Sequence, residues 1–296
     1  MEDTQRYRVG HYSKGYQGKV DVAIHQDDFP AACYEELQKE TKVIFDLQPI
    51  LMMYGAAKDN FEEFLGSIAE CVSFWRDAMP QKGLAYNQLN HLVLISQRIN
   101  NFLSSASAFL TSAEIKLGKV FGVDSLEVNE WNRYRRNLHK NSFSYRFLYE
   151  LRNYSQHNNL PISSLSVNAE KMSGDINLSV NVYRDEILDS GFKWKKLRPE
   201  IEQKNVSFDL FPFIKEYMLL IDELMDKYFE ANSEVIDCCS LYLNILSQRF
   251  RFPKNAVPVI YKGDTPYGLP VPEDFEQIPI EQFTWILEKR RASSGG

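Results

Sequence analysis

The stretch HLVLISQRINNFLSSASAFLTSAEIKLGKV, residues 91–120, sets the fold class. Within it Leu92, Ile95, Ile99, Phe102, Ala106, Phe109, Ala113, Leu117 and Val120 follow one another at steps of three or four. That spacing places all of them on one face of an α-helix. At ~1.5 Å per residue, the run from Leu84 to Gly118 extends roughly 50 Å, and Gly118 or Gly122 supplies the stop. A helix of this length with one apolar face packs lengthwise on an antiparallel neighbour. The expected fold class is therefore mainly α, a helical bundle.

The same period recurs on both sides of this seam. Tyr34, Leu37, Ile44, Leu47, Leu51 and Tyr54 mark a helix after Pro30, which Pro49 is expected to break or kink. Asp59 and Glu62 stand at capping-box spacing for the next helix, which carries Phe61, Phe64, Ile68, Val72 and Trp75. Asp124 and Glu127 open another by the same logic, and Phe143, Phe147, Leu148, Leu151 and Tyr154 mark one ending near Asn158. After Pro161 the period changes to two, with Leu165 and Val167, then Ile176, Leu178, Val180 and Val182, alternating with polar residues. This is strand periodicity, and Ser173-Gly174-Asp175 between the two runs is a turn signal, so a β-hairpin is expected. A third strand is expected near residues 192–194. Helices resume at Asp209, with Phe213, Ile214, Tyr217, Ile221, Leu224 and Tyr228 on one face, and Ser233 is placed to cap one more.

The ends read differently from the middle. Residues 1–28 show no helical period and are expected to form an extended leader. Residues 251–296 hold six of the twelve prolines and are expected to form an extension with short strands near 257–261 and 283–287. The expected organisation is thus a leader (1–28), a single helical-bundle domain (29–250) with a β insertion at about 162–208, and a proline-rich C-terminal extension (251–296).

Composition bounds the function. The 296 residues carry 34 basic and 40 acidic side chains, a net charge of −6, with 44% hydrophobic residues. That is ample material for a core, and the acidic balance argues against coating a polyanion with the whole surface. No apolar run approaches the ~18 residues of a membrane helix, and the polar N-terminal residues 1–20 lack the apolar core of a secretory signal. Cys33, Cys71, Cys238 and Cys239 have no Cys-x-x-Cys spacing, and the five histidines include no His-x-x-x-His pair. Small buried thiols in a reducing cytoplasm, and no protein-built metal site or cofactor, are the expectation. No phosphate-cradling Gly-rich loop and no Gly-x-Ser-x-Gly elbow is present.

The charge is unevenly spread. Residues 131–157 contain Arg133, Arg135, Arg136, Lys140, Arg146 and Arg152 against Glu150 alone, a local charge of +5 that leaves −11 for the rest. A basic island on an acidic body confines polyanion binding to one place. Aromatic residues interleave it, among them Trp131, Tyr134, Phe143, Tyr145, Phe147, Tyr149 and Tyr154. Bases stack on such rings, although Phe143, Phe147 and Tyr154 also fit the apolar face of their own helix and are assigned to the core. Within the island lies Leu151-Arg152-Asn153-Tyr154-Ser155-Gln156-His157. It combines a permanent cation, an amide and an imidazole that titrates near neutral pH. Arginine can hold a phosphate oxygen and stabilise developing negative charge, and histidine can move a proton, which is a usable set for phosphodiester chemistry. On an ideal helix Asn153 and His157 lie about 40° apart, whereas Arg152 and His157 lie about 140° apart. To share one phosphate, either the helix loosens near Asn158 or a second copy contributes.

An Arg, a polar residue, three further positions and a His at a helix end in an α-helical bundle resembles the HEPN superfamily, the higher eukaryotes and prokaryotes nucleotide-binding domains. The following Leu160-Pro161-Ile162 strengthens the likeness to bacterial HEPN-like proteins. The resemblance implies a bundle that dimerises through its motif helices. It also implies a metal-independent endoribonuclease of a toxin–antitoxin or antiviral defence setting, in which Arg and His of two subunits face one cleft. Carried over, Arg152 would stabilise the phosphate, His157 would act as general acid or base, and Asn153 would orient them. Implied partners are RNA (single-stranded or tRNA), a second copy, and an antitoxin or defence-complex protein. The likeness covers the motif helix and, loosely, residues 61–160. The tyrosine that adenylylation-controlled toxins carry two residues beyond the His is replaced here by Asn159. The alternative is a non-catalytic RNA- or nucleotide-binding or scaffolding subunit, in which the same residues tie helices together.

Two further clusters stand out. Lys193, Lys195, Lys196 and Arg198 surround Trp194. They present either a basic face with one stacking ring for RNA or a solvated edge strand protected by lysines, and the edge strand is favoured. Residues 222–237 hold six acids and one lysine, read as the wet face of a helix.

Overall fold

The computed structural model describes residues 6–14, 20–78, 85–169, 176–263 and 275–293. The chain runs β1 (Tyr7–Lys14), β2 (Val20–Phe29), α1 (Ala31–Ala78), α2 (Ala85–Phe121), α3 (Leu126–Asn141), α4 (Phe143–His157), β3 (Ser164–Ala169) and β4 (Ile176–Tyr183). It continues with α5 (Arg184–Asp189), α6 (Arg198–Glu202), β5 (Ser207–Asp209), α7 (Phe211–Ala231), α8 (Ser233–Phe250), β6 (Ala256–Lys262), β7 (Phe275–Gln277) and α9 (Ile280–Ser293). The protein is mainly α with small antiparallel sheets, and no described helix is long and apolar enough to cross a membrane.

The chain divides into two compact units: residues 1–49 with 229–296, and residues 50–228. The divisions fall inside α1, at Pro49, and inside α7, after Tyr228.

In the first unit the leader and the C-terminal extension meet in one four-stranded sheet of order β2-β1-β6-β7. β1 lies at its interior, with Val9 opposite Ile260 and Tyr12 opposite Val257, and it pairs with β2 across a register shift between Arg8 and Gly10. Gly10 is required there, because a Cβ would lie 2.4 Å from the Ala23 carbonyl oxygen and 2.5 Å from the Tyr261 ring. The sheet's inner residues Val9, Val259, Ile260 and Tyr261 are buried. Glu276 on β7 accepts hydrogen bonds from the Tyr34 hydroxyl (2.7 Å) and the Gln38 amide (2.6 Å), and pairs with Lys262 (3.0 Å).

In the second unit the seam read from residues 91–120 is the buried face of α2. Ile95, Ile99, Phe102, Ala106, Phe109, Ala113 and Leu117 are each fully enclosed. The helices α2, α3 and α4 pack on one another, and the sheet β3-β4-β5 joins them through β3. The expected hairpin pairs Leu165 with Val180 and Val167 with Leu178. Its turn, Ser173-Gly174-Asp175, lies outside the described residues.

Several local expectations are corrected. Pro49 does not break α1, which runs unbroken for 48 residues, so Asp59 and Glu62 are interior positions rather than a cap. The helix continues because Leu47, Ile50 and Leu51 on either side of the proline are all buried, and that burial outweighs one missing hydrogen bond. Ser125, not Asp124, caps α3, its side chain accepting from Val128 N–H. Asn232, not Ser233, is the N-cap residue of α8, and its side chain makes no capping bond to the helix. The third strand is residues 207–209 rather than 192–194, and residues 283–287 lie in α9. The strand expected at 257–261 is β6. Of the cysteines, Cys71 and Cys239 are buried, and burial pushes their thiols up to about 11 and about 12. Cys238 is exposed and Cys33 is half-buried, so only two of the four fit the expectation of small buried thiols.

Candidate functional site

The basic island folds as the α3–α4 corner of the second unit. One residue makes the corner: the Ser142 N–H donates to the Leu138 carbonyl to end α3, and its side chain accepts from Tyr145 N–H to start α4. Arg146 then locks the corner. Its guanidinium donates to the carbonyls of His139 (2.6 Å) and Lys140 (2.8 Å) and pairs with Glu200 (2.6 Å), with 13% of its side chain exposed. It is a cap on the C-terminus of α3, where the helix dipole favours a cation. Arg146, expected among the RNA-facing cations, is thus engaged within the fold.

Beneath α4 lies an aromatic cluster. Phe147 and Tyr154 are buried, as their helical spacing indicated, and both lie against Trp194, with ring centroids 5.6 and 5.5 Å away. Trp194 is 2% exposed and its indole N–H donates to the Ile187 carbonyl at 2.8 Å. It therefore has no face for a base, and the stacking role considered for it is corrected. Its neighbours are not on a strand: Lys195 has φ of 49° and opens a single 3-10 turn, residues 195–197. The apolar demand of the cluster pulls the tryptophan inward and turns the flanking lysines out. Lys193, Lys195 and Lys196 are all exposed.

The motif occupies the last turns of α4, which remains helical through His157, with Asn158 N–H bonded to the Tyr154 carbonyl at 2.9 Å. The loosening near Asn158 that would bring Arg152 and His157 together does not occur. Asn158 and Asn159 are instead tied to the Ser190 carbonyl and to Glu186, each at 3.2 Å. Arg152 is half-buried. Its Nη1 donates to Asn153 Oδ1 at 3.3 Å, and its Nε is enclosed without a partner. Asn153 in turn donates to Glu150 at 3.3 Å, and Lys195 approaches the same carboxylate at 3.7 Å. Asn153 thus links Arg152 to the island's one acid. His157 is exposed on the final turn. With the helix intact, its direction stays about 140° from that of Arg152.

The remaining cations line α3. Arg133 is exposed and pairs with Glu130 at 3.3 Å. Arg135 is pinned, donating to Glu114 and, at 3.4 Å, to the Tyr145 hydroxyl. Arg136 and Lys140 are exposed, with no ion pair among the described residues. Asn132, Arg135, Arg136 and His139 stand at i, i+3, i+4 and i+7, so one stripe of α3 faces Tyr145 and Tyr149 of α4 and Glu114 of α2 across a pit of about 400 Å³. Sequence reasoning assigned the arginines but not Asn132, His139 or Glu114. The helical spacing was available as a signal; Glu114 belongs to a distant helix and had none. His139 lies below the ordinary histidine range, first through burial and then through the positive charge of Arg146 and Lys196, with Glu150 opposing. Burial holds the Tyr145 phenol above its ordinary value, so it stays protonated.

No protein-family model, curated protein or solved structure matches the chain.

Proposed function

We propose that this chain is a metal-independent endoribonuclease of HEPN type, acting as a homodimer in the cytoplasm in an antiviral-defence or toxin–antitoxin setting. The observation that carries the reading is the state of the motif on an intact helix. Arg152 is held by Asn153 with its Nε unpartnered, and His157 is exposed on a different side of the same helix end. One copy cannot direct both at one phosphate, whereas two copies related by a two-fold axis can exchange them.

In such a cleft His157 of one copy takes the proton of an RNA 2′-hydroxyl as its oxygen attacks the adjacent phosphorus. The bond to the 5′-oxygen breaks, and the other copy's histidine returns a proton to that leaving oxygen. Arg152 neutralises charge developing on the phosphoryl oxygens. The exposed cations Arg133, Arg136 and Lys140 supply strand attraction.

The test is cleavage of single-stranded RNA or tRNA in EDTA, giving 2′,3′-cyclic phosphate and 5′-hydroxyl ends. His157→Ala, correctly folded by circular dichroism, should lose at least about 100-fold of the rate, on the order of a lost general acid–base group. Equal cutting by the variant refutes the assignment. One observation favours the second reading, a non-catalytic RNA-binding or scaffolding subunit: Glu150 places a carboxylate inside the Arg152–Asn153 chain, where it repels a phosphate. RNA retention with no cleavage by the parent would decide for that reading.

A further inference from the structure

The pit between α2, α3 and α4 lies beside the motif and is not required by it. Its wall is one helical stripe, Asn132, Arg135, Arg136 and His139, faced by Tyr145 and Tyr149, with Glu114 behind Arg135. At about 400 Å³ it falls within the range of small-ligand pockets. We propose that it is a phosphomonoester site, with Arg136, Arg135, Asn132 and His139 around the phosphate and the half-exposed Tyr149 against the attached organic group.

The charge balance distinguishes a monoester from a passing RNA strand. Arg135 and Glu114 offset each other, leaving Arg135 as a positioned donor rather than a source of net charge. Arg136 contributes one positive charge, with no partner among the described residues to release. His139 lies below the ordinary histidine range, so its charge depends on what binds beside it. The charged groups acting on it are Arg146 and Glu150 from α4 and Lys196 from the 3-10 turn at 195–197, and Arg135 and Arg136 of its own helix and Glu114 of α2 line the same pit. A bound phosphate offsets the repulsion from those cations and favours protonation of the imidazole, which beside Arg136 supplies a second positive charge when protonated. That matches a monoester dianion and exceeds the single charge of an internal diester. The protonated Tyr145 hydroxyl, which accepts from Arg135, retains its own proton to donate. Tyr149, 37% exposed, leaves ring surface at the mouth. The site stands whether or not α4 cleaves RNA.

The shared chemistry, a terminal phosphate on an organic group, has two sources: a free mononucleotide or the end of an RNA chain. Calorimetric titration with 5′-AMP and adenosine forms one arm, and a 5′-phosphorylated against a 5′-hydroxyl oligonucleotide of the same sequence forms the other. The phosphorylated member of at least one pair should bind tenfold or more tightly than its partner. Arg136→Ala, a surface change, should lose at least tenfold for that ligand. Preference confined to AMP identifies a free nucleotide; preference confined to the oligonucleotide identifies an RNA end. Either supports the site. Between about pH 8 and pH 6.5 binding should take up a proton in the parent and less in His139→Gln, the difference isolating histidine from the phosphate's own titration. Indifference to the phosphate in both arms, or unchanged affinity in Arg136→Ala, overturns the proposal.

Discussion

Two segments of the second unit mix cations with aromatic rings, and they fold in opposite senses. On α3 and α4, Arg136 and Tyr149 remain at the surface around an open pit. At residues 193–196 the lysines are outside but Trp194 is sealed beneath α4, among Phe147, Tyr154 and Phe192. Similar composition therefore yields a candidate binding surface in one place and a wedge of the core in the other. The difference lies in what each ring packs against. A tryptophan next to a helix with two enclosed aromatic residues gains more from joining them than from waiting at the surface.

The wedge is where this contrast is most exposed to refutation. Trp194→Ala should destabilise the protein by about 3–5 kcal/mol, measured by denaturant unfolding, as expected for truncating an enclosed aromatic side chain. A loss of RNA binding with stability intact would instead restore the tryptophan to the surface. The corner that presents the pit is the next test. Arg146→Ala should lose about 1–3 kcal/mol, since two helix-terminal carbonyls and Glu200 lose a charged donor. The α3 C-terminus should show faster amide exchange in that variant; a neutral effect on stability would place Arg146 among the RNA-facing cations after all. The smallest effect is expected outside the wedge. Lys193→Ala with Lys196→Ala should change stability by less than about 0.5 kcal/mol. If those lysines touch a strand, the salt dependence of RNA binding should also flatten, by roughly 0.7 in slope for each phosphate no longer neutralised.

The seam of α2 and the hairpin were legible because burial on one face writes a period into the chain, 3.6 in one case and two in the other. The helix carrying Arg152, Asn153 and His157 was legible for the same reason, with Tyr154 and Phe147 anchoring its buried side. The first unit's sheet was legible only at β6. β1 pairs with β6 across most of the chain's length, and its sequence Tyr-Arg-Val-Gly-His-Tyr-Ser-Lys has no clean alternation. Interior strands satisfy their backbone through both neighbours, so the pairing resides in partners that local pattern does not name. Nor could spacing show that Glu114 pins Arg135, a meeting between two helices.

Residue order alone was enough for the mainly helical class, the excess of positive charge in residues 131–157 and the presence there of an arginine, an amide and a histidine suited to phosphates. These follow from periodicity and charge, which are properties of local order. Which cations are committed and which are available emerged only on folding. Arg146 is engaged at a helix end and Arg135 by a carboxylate, while Arg136 faces an open pit and His157 faces solvent. A charge's partner is set by packing between distant elements, and that packing decides whether the charge can meet a ligand.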